Sequence, residues 1–340
     1  MKRHANIPVF IPHLGCPNQC VFCNQRTISG VQNFDPDDLT DIIENALSTI
    51  DADYEVEIAF FGGSFTGIDR ELMVSLLKTA RHYINIGRVD SIRCSTRPDY
   101  IDEEILAILK EYGVKTIELG LQSSNEEVLE KSKRGHSRDD EMRACRLIVE
   151  AGFDLIGQMM IGLPGSTIEN ELETARFIIS VGAVGARIYP TVVFRDTELC
   201  HMAQSGEYTP LSLDDAVKRS ARVFSELIGA GVRVIRVGLC ASENLASDDT
   251  YYAGPNHSAL GELVLNQIYY DKIFSEAKKL TLLNSDTLKV LVPVGELSKA
   301  VGQKKRNKLL LTDTLGIRDV RFYESSTLSD FEVITEAEKR

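Results

Sequence analysis

The stretch Ile7-Pro8-Val9-Phe10-Ile11-Pro12-His13-Leu14-Gly15-Cys16-Pro17-Asn18-Gln19-Cys20-Val21-Phe22-Cys23 opens on a short apolar strand and closes on three cysteines within eight residues. Barrels of alternating strands and helices place their chemistry on the loops at the carboxyl ends of the strands, and this loop follows a strand directly. Thiolates at a CxxxCxxC spacing can converge on one iron–sulfur cluster. Three cysteines for four irons leave one iron open, the same logic that separates a catalytic metal site from a closed structural one. A zinc site is the alternative, with His13 as its fourth ligand.

Outward from this loop, apolar and β-branched runs alternate with amphipathic stretches. Residues 7–11, 55–61, 91–95, 116–121, 154–161 and 186–193 read as strands. Residues 38–50, 70–83, 102–112, 125–131, 138–151 and 169–180 read as helices, several announced by an Asp, Ser or Asn cap. Six such alternations predict an α/β fold: a parallel sheet with right-handed crossovers, curled into a partial (β/α)6, TIM-like barrel. A strand over 232–237, a helix over 258–277 and a polar linker over 280–286 follow. The expected division is residues 1–280 for the barrel and its extension, and 287–340 for a small α+β module.

A chain of 340 residues with 43% hydrophobic content can bury a core of that size plus an appendage. Its net charge of −12 argues against a generally basic nucleic-acid binder. The charge is uneven, with ten Lys/Arg against eight Asp/Glu from Lys289 onward and 28 against 42 before it. The apolar run after Met1-Lys2-Arg3-His4 is broken by Pro8 and Pro12, which makes no signal-peptide core, and no stretch suits a membrane span. A cytoplasmic location is therefore expected. Seven cysteines, three of them crowded together, do not make a secreted disulfide framework.

Gly62-Gly63 directly follows the second strand, where glycines let backbone approach a ligand, or simply make a tight turn. Ser95 and Arg97 end the third strand, Glu118 and Gln122 lie on the fourth, and Gln158 lies on the fifth. Polar groups on apolar barrel strands must be hydrogen-bonded if buried, so each binds a ligand or staples the barrel. Arg134 can pair with a carboxylate or cap a solvated helix end. Cys94, Cys145, Cys200 and Cys240 are scattered and read as isolated thiols; Cys240 and His257 lie near Gly254-Pro255 and are weak candidates for the edge of the site. Near the carboxyl end, Gly302-Gln303-Lys304-Lys305-Arg306-Asn307-Lys308 sets four cations around a turn-forming glycine. Such a loop can clamp a phosphate backbone, as the GxxG loop of a KH module does, or it is a solvated connection.

Taken together, Phe61-Gly62-Gly63-Ser64, Glu118-Leu119-Gly120-Leu121-Gln122-Ser123, Lys133-Arg134-Gly135-His136 and Gly162-Leu163-Pro164-Gly165 resemble the radical S-adenosylmethionine superfamily. The resemblance covers residues 5–265 and is to the branch shared by the elongator catalytic subunit and the oxygen-independent coproporphyrinogen oxidases. Ser95-Thr96-Arg97-Pro98-Asp99-Tyr100, Ile188-Tyr189-Pro190-Thr191 and Arg195-Asp196-Thr197 look specifically like elongator. The resemblance implies that Cys16, Cys20 and Cys23 hold a 4Fe–4S cluster, with Phe22 near the adenine of S-adenosylmethionine. It implies Gly62 and Gly63 at the methionine amino group, Ser95, Gln122 and Gln158 around the ribose and neighbouring parts, and Arg134 at the methionine carboxylate. It also implies an electron donor such as flavodoxin or ferredoxin, because an electron must enter the sulfonium to release the 5′-deoxyadenosyl radical.

This sequence departs from elongator in two ways. Its first cysteine spacing is much shorter, and no Gly-rich pyrophosphate loop of the acetyltransferase kind occurs in these 340 residues. The chain by itself is therefore not expected to complete the elongator reaction. In the tail, Lys305 stands where a KH loop has its second glycine. Three functions follow as expectations: radical chemistry on an RNA such as tRNA, radical chemistry on a small molecule such as a porphyrinogen, or a non-catalytic, metal-stabilised RNA-binding role.

Overall fold

The computed structural model describes residues 3–12, 14–16, 20–31, 33–239 and 249–339. Two compact units divide the chain, Met1–Ser212 with Glu226–Asn256 and Leu213–Ser225 with His257–Arg340.

The first unit is built on seven parallel strands. They are β1 (Arg3–Ile11), β2 (Tyr54–Gly62), β3 (Ser91–Thr96), β4 (Val114–Gln122), β5 (Asp154–Ile161), β6 (Gly185–Pro190) and, after a two-residue β7 (Val193–Phe194), β8 (Arg233–Val237). The order β1-β2-β3-β4-β5-β6-β8 leaves β1 and β8 as open edges, so the sheet is a partial barrel. This is the expected α/β architecture with one more strand in the sheet. The sequence run 186–193 is divided after Pro190. Beyond it Val193 and Phe194 pair antiparallel with β9 (Tyr251–Ala253).

Alternation along each strand separates two environments. Ile7, Val9, Ile58, Phe60, Ile92 and Cys94 are fully buried on one face. The opposite, concave face carries His4, Glu57, Arg93, Glu118, Gln158 and Arg187, a polar set joined by hydrogen bonds. Arg187 on β6 reaches Glu118 on β4, two strands away, which curling of the sheet permits. The crossover helices start on local signals. Asp69 caps the helix Arg70–Asn85, Asp102 caps Glu103–Glu111 and Asn125 caps Glu126–Lys131. Capping boxes at Ser137/Asp140 and Thr167/Asn170 open Arg138–Glu150 and Ile168–Ser180. Helices Glu198–Ser205 and Leu213–Gly229 were not anticipated.

In the second unit, strands Thr287–Pro293 and Asp319–Ser325 pair in parallel, and Ile334–Glu338 adds antiparallel to the first of them. Helix Leu260–Ala277 supplies Tyr269, Ile273 and Ala277 to the same core as Leu288, Val290, Val292, Leu311 and Val320. Among the described residues no helix is long and apolar enough to cross a membrane.

Candidate active site at the carboxyl ends of the strands

The cysteine loop follows β1 and is held against the end of β2. Gly63 donates its amide to Ile11 O at 2.8 Å, and Ser64 donates to Leu14 O at 3.2 Å. A Cβ on Gly63 would lie 2.1 Å from Leu14 O, and one on Gly15 would lie 2.2 Å from Ser64 O. Glycine is required at both positions because backbone passes backbone with no room for a side chain. The Gly63 amide is thus engaged by the end of β1. Val21 donates to Ser132 O and Cys23 to Cys20 O, which tie down the far side. Phe22 packs on an apolar cluster of Val21, Val193, Leu199, Cys200 and Tyr208. His13, Pro17, Asn18, Gln19 and Cys240 lie outside the described residues.

Two guanidinium groups converge on Cys20. Arg134 donates from Nη1 to its Sγ at 3.1 Å and from Nη2 to Gly120 O at 2.5 Å. Arg97 holds Asp99 through two bonds of 2.9 Å, donates to Arg134 O, and brings Nη1 to 3.8 Å from the same sulfur. Burial pushes the Cys16 thiol up while Arg97 pulls it down. Burial, with Cys20 and Cys16 nearby, pushes Cys23 up to about 12. Behind this pair, His136 accepts or shares a proton with Glu141 at 3.1 Å. Burial and the two arginines push His136 down to about 3, so its ring is neutral at pH 7, and burial pushes Glu141 well up.

The other residues implied by the motifs fall into two groups. Gln122 ends β4 at φ +70°, a conformation rare for a side chain with a Cβ, and its Oε1 is buried without a hydrogen-bond partner among the described residues. Arg134 Nε is likewise buried and unpartnered. A Cβ on Gly120 would meet Gln122 Nε2 at 3.1 Å and Arg134 Nη2 at 3.5 Å, so the glycine keeps a small space open between these side chains. Gln158 and Ser95 sit deeper. Gln158 donates to Glu118 at 2.8 Å and to Ser95 at 3.5 Å, inside the concave polar network. Cys94 and Cys145 are buried core thiols, each pushed up to about 12 by desolvation, and Cys200 is buried.

The donor set suits a cluster. Three cysteines stand on one loop, and two guanidinium groups lie beside Cys20. Among the described residues no three His, Cys, Asp or Glu side chains gather around one point as ligands of a single ion do. A cluster distributes its thiolates over different irons and does not need that convergence. The unpartnered Gln122 Oε1 and Arg134 Nε, with the space at Gly120, suit a polar ligand beside the cysteines. The sequence singles out Arg97 at the end of the third strand without a cofactor role, and it does not single out Arg187 at all. Their signal in the sequence is a cation at the end of, or within, an apolar strand.

In the second unit, Gly302 at φ +78° ends the helix Leu297–Val301, and the helix Arg306–Leu315 begins four residues later. Asn266 accepts from the Gln303 amide, and buried Asn307 donates to Asn266 O at 2.7 Å and Ala300 O at 3.1 Å. Arg306 pairs with Asp214 at 2.6 Å and Lys308 with Asp319 at 2.9 Å. Lys304 and Lys305 are exposed and both have positive φ, 51° and 62°. His257 accepts from the Ala259 amide through Nδ1.

Residues 10–178 match the model of the radical SAM superfamily, and residues 183–270 match its C-terminal domain. The tRNA uridine(34) acetyltransferase of Methanocaldococcus infernus is 28% identical over 230 residues, 62% of this chain and 42% of that protein. Human Elongator complex protein 3 is 32% identical over 177 residues, 51% of this chain and 31% of that protein. An uncharacterized protein of Methanocaldococcus jannaschii is 30% identical over 222 residues, covering 62% of this chain and 68% of its own length. This chain thus spans less than half the length of the first two. Among solved structures, the archaeal M. infernus Elp3 with an N-terminal deletion superposes with a TM-score of 0.62 at 23% identity, over 80% of this chain and 68% of that one. Streptococcus suis SuiB bound to S-adenosylmethionine superposes at 0.52 and 14% identity, over 74% and 54%. Both carry the same fold. With a cysteine loop at the mouth of a partial barrel and matching models over residues 10–178 and 183–270, this chain belongs to the radical SAM superfamily, whose enzymes use a 4Fe–4S cluster and S-adenosylmethionine.

Proposed function

We propose that Cys16, Cys20 and Cys23 bind the cluster, that S-adenosylmethionine lies beside them, and that the enzyme modifies RNA, with tRNA as the substrate class. The observation that carries the cofactor reading is a pair of buried, unpartnered atoms, Gln122 Oε1 and Arg134 Nε, on two side chains that both border Gly120. Arg134 holds the methionine carboxylate and Gln122 a polar part of the ribose. Phe22 lies toward the adenine, Gly62 and Gly63 toward the amino end, and Ser95 and Gln158 support the ribose side from below. When bound, the two groups supply one-electron cleavage of a sulfonium carbon–sulfur bond, fed by a flavodoxin- or ferredoxin-like donor.

The RNA reading is supported by relatives named for tRNA and by a loop, Gly302 to Lys308, that turns Lys304 and Lys305 outward. In this reading residues 287–340 serve as the RNA-binding module of a barrel enzyme. The small-molecule reading draws on the ion pairs of Arg306 and Lys308, which leave two of the loop's four cations for an external phosphate. Anaerobic reconstitution followed by assay for 5′-deoxyadenosine tests the cofactor reading, and failure to form any cluster counts against it. RNA crosslinking of the reconstituted protein decides between RNA and small molecule: crosslinks confined to the barrel would remove the loop from the account, and none at all would favour the metabolite.

A further inference from the structure

On the concave face two arginines are held by carboxylates, and a third, on β8, has no ion pair among the described residues. Glu57 accepts two bonds from Arg93, at 2.9 and 2.7 Å, and Glu118 accepts from Arg93 and Arg187, each at 2.8 Å. Two carboxylates therefore balance Arg93 and Arg187. A third arginine, Arg236 on β8, is the register partner of Arg187 on β6. Cross-strand partners project from the same face, so Arg236 joins the concave side. It is half-buried and has no hydrogen bond or ion pair among the described residues. Arg187 is more than nine-tenths buried, lies 5.7 Å over the Phe61 ring, and leaves its Nε without a partner. Tyr189, two residues further toward the carboxyl end, is close enough to feel both arginines and stays protonated because burial holds its hydroxyl up. Desolvated cations without counter-ions are costly, and a bound anion is the usual remedy.

We infer that Arg187, Tyr189 and Arg236 form an anion site on the β6–β8 wall of the barrel, which takes a backbone phosphate flanking the nucleotide to be modified. The assignment to a phosphate rests on the RNA reading above; the unpaired Arg236 guanidinium and the unpartnered Arg187 Nε do not. Arg187 Nε and the Arg236 guanidinium supply charge-assisted donors, and the Tyr189 hydroxyl supplies a neutral one. Glu118 fixes Arg187 so that the donor direction is set before the ligand arrives. Arg134 is held instead at Gly120 O and the Cys20 sulfur, which leaves the methionine carboxylate its own partner.

The anaerobically reconstituted full chain, with S-adenosylmethionine present and at constant ionic strength, is titrated with uridine 3′,5′-bisphosphate, with uridine and with malonate. The bisphosphate should bind roughly tenfold or more tightly than uridine, as expected for charge-assisted bonds. Arg236→Gln should remove most of that margin, Arg236→Lys should keep part of it, and both should bind S-adenosylmethionine like the wild type. Equal binding of bisphosphate and uridine, or a margin untouched by Arg236→Gln, overturns the site. Loss of S-adenosylmethionine affinity in step overturns it as well, because the guanidinium would then serve the cofactor. Arg236-dependent binding of malonate alone overturns the phosphate and leaves a carboxylate in its place. A Lys304→Gln/Lys305→Gln protein should retain the bisphosphate margin even if it no longer binds RNA, which separates failure of the loop reading from failure of this site.

Discussion

Arg134 Nη1 donates to the Cys20 sulfur at 3.1 Å while Nη2 of the same guanidinium holds Gly120 O, so one side chain ties the cysteine loop to the end of β4. The third nitrogen, Nε, is buried without a partner. Arg134→Ala should weaken S-adenosylmethionine binding by roughly tenfold or more, since a desolvated carboxylate loses a charged donor. Arg134→Lys should recover only part, because an ammonium lacks the planar fork. Equilibrium binding to the reconstituted protein checks this; unchanged affinity in the alanine variant would show that the arginine serves the loop alone. Gln122→Ala should behave similarly.

Cluster assembly should depend on three thiols and no others among those described. Replacing Cys16, Cys20 or Cys23 with Ala should abolish the iron and sulfide content of a full 4Fe–4S cluster. Cys94→Ala and Cys145→Ala should keep it, because both thiols are fully buried in the core and burial pushes each up to about 12. A complete cluster in Cys20→Ala would sink the ligand assignment.

Glu118 is fully buried and receives Arg93, Arg187 and Gln158. Removing its charge strands the Arg187 cation, so Glu118→Gln should cost about 3–5 kcal/mol. The exposed pair Arg70–Glu104 provides the contrast, and Glu104→Gln should change stability by about 0.5 kcal/mol or less. Urea midpoints for the two variants report the difference directly.

His136 gives the protein a pH dependence of known sign. Its folded value is about 3, below the 6.5 of an unfolded histidine. Between these limits the unfolded chain binds the proton and the native one does not, so stability is full above pH 6.5 and falls as the pH drops toward 3. Going from pH 7.5 to pH 5 should cost about 2 kcal/mol through this residue. The neighbouring Glu141 is raised and contributes in the opposite sense, losing stability as pH rises. His136→Gln should therefore flatten the acid side of the profile relative to wild type, and an unchanged acid slope would mean that His136 is solvated when native.

In the loop after Gly302, Lys304 and Lys305 are the cations to test, because Arg306 and Lys308 are already paired with Asp214 and Asp319. Changing both lysines to Gln should lower RNA affinity and reduce the slope of log K against log salt by about 1–2. Arg306→Gln should have the smaller effect on RNA. Affinity measured at two salt concentrations distinguishes these outcomes, and identical slopes for wild type and the double variant would leave the loop an ordinary solvated turn.

The sequence by itself determined whatever is written in neighbouring residues. Three cysteines after an apolar strand, helix caps at Asp69, Asp102 and Ser137, and alternating strands needed no distant partner to be read. Each depends on spacing along the chain, which folding preserves. Only the tertiary structure decided where the polar side chains of the strands go. Gln122 and Gln158 look alike in sequence, yet one ends β4 with an unpartnered oxygen and the other donates to Glu118. The convergence of Arg97 and Arg134 on Cys20 spans 77 and 114 residues of chain. The break at Pro190 and the pairing of Val193 with Ala253 were equally out of reach. A buried polar group takes its meaning from its partner, and strand register and sheet curvature choose that partner from residues far away in the chain.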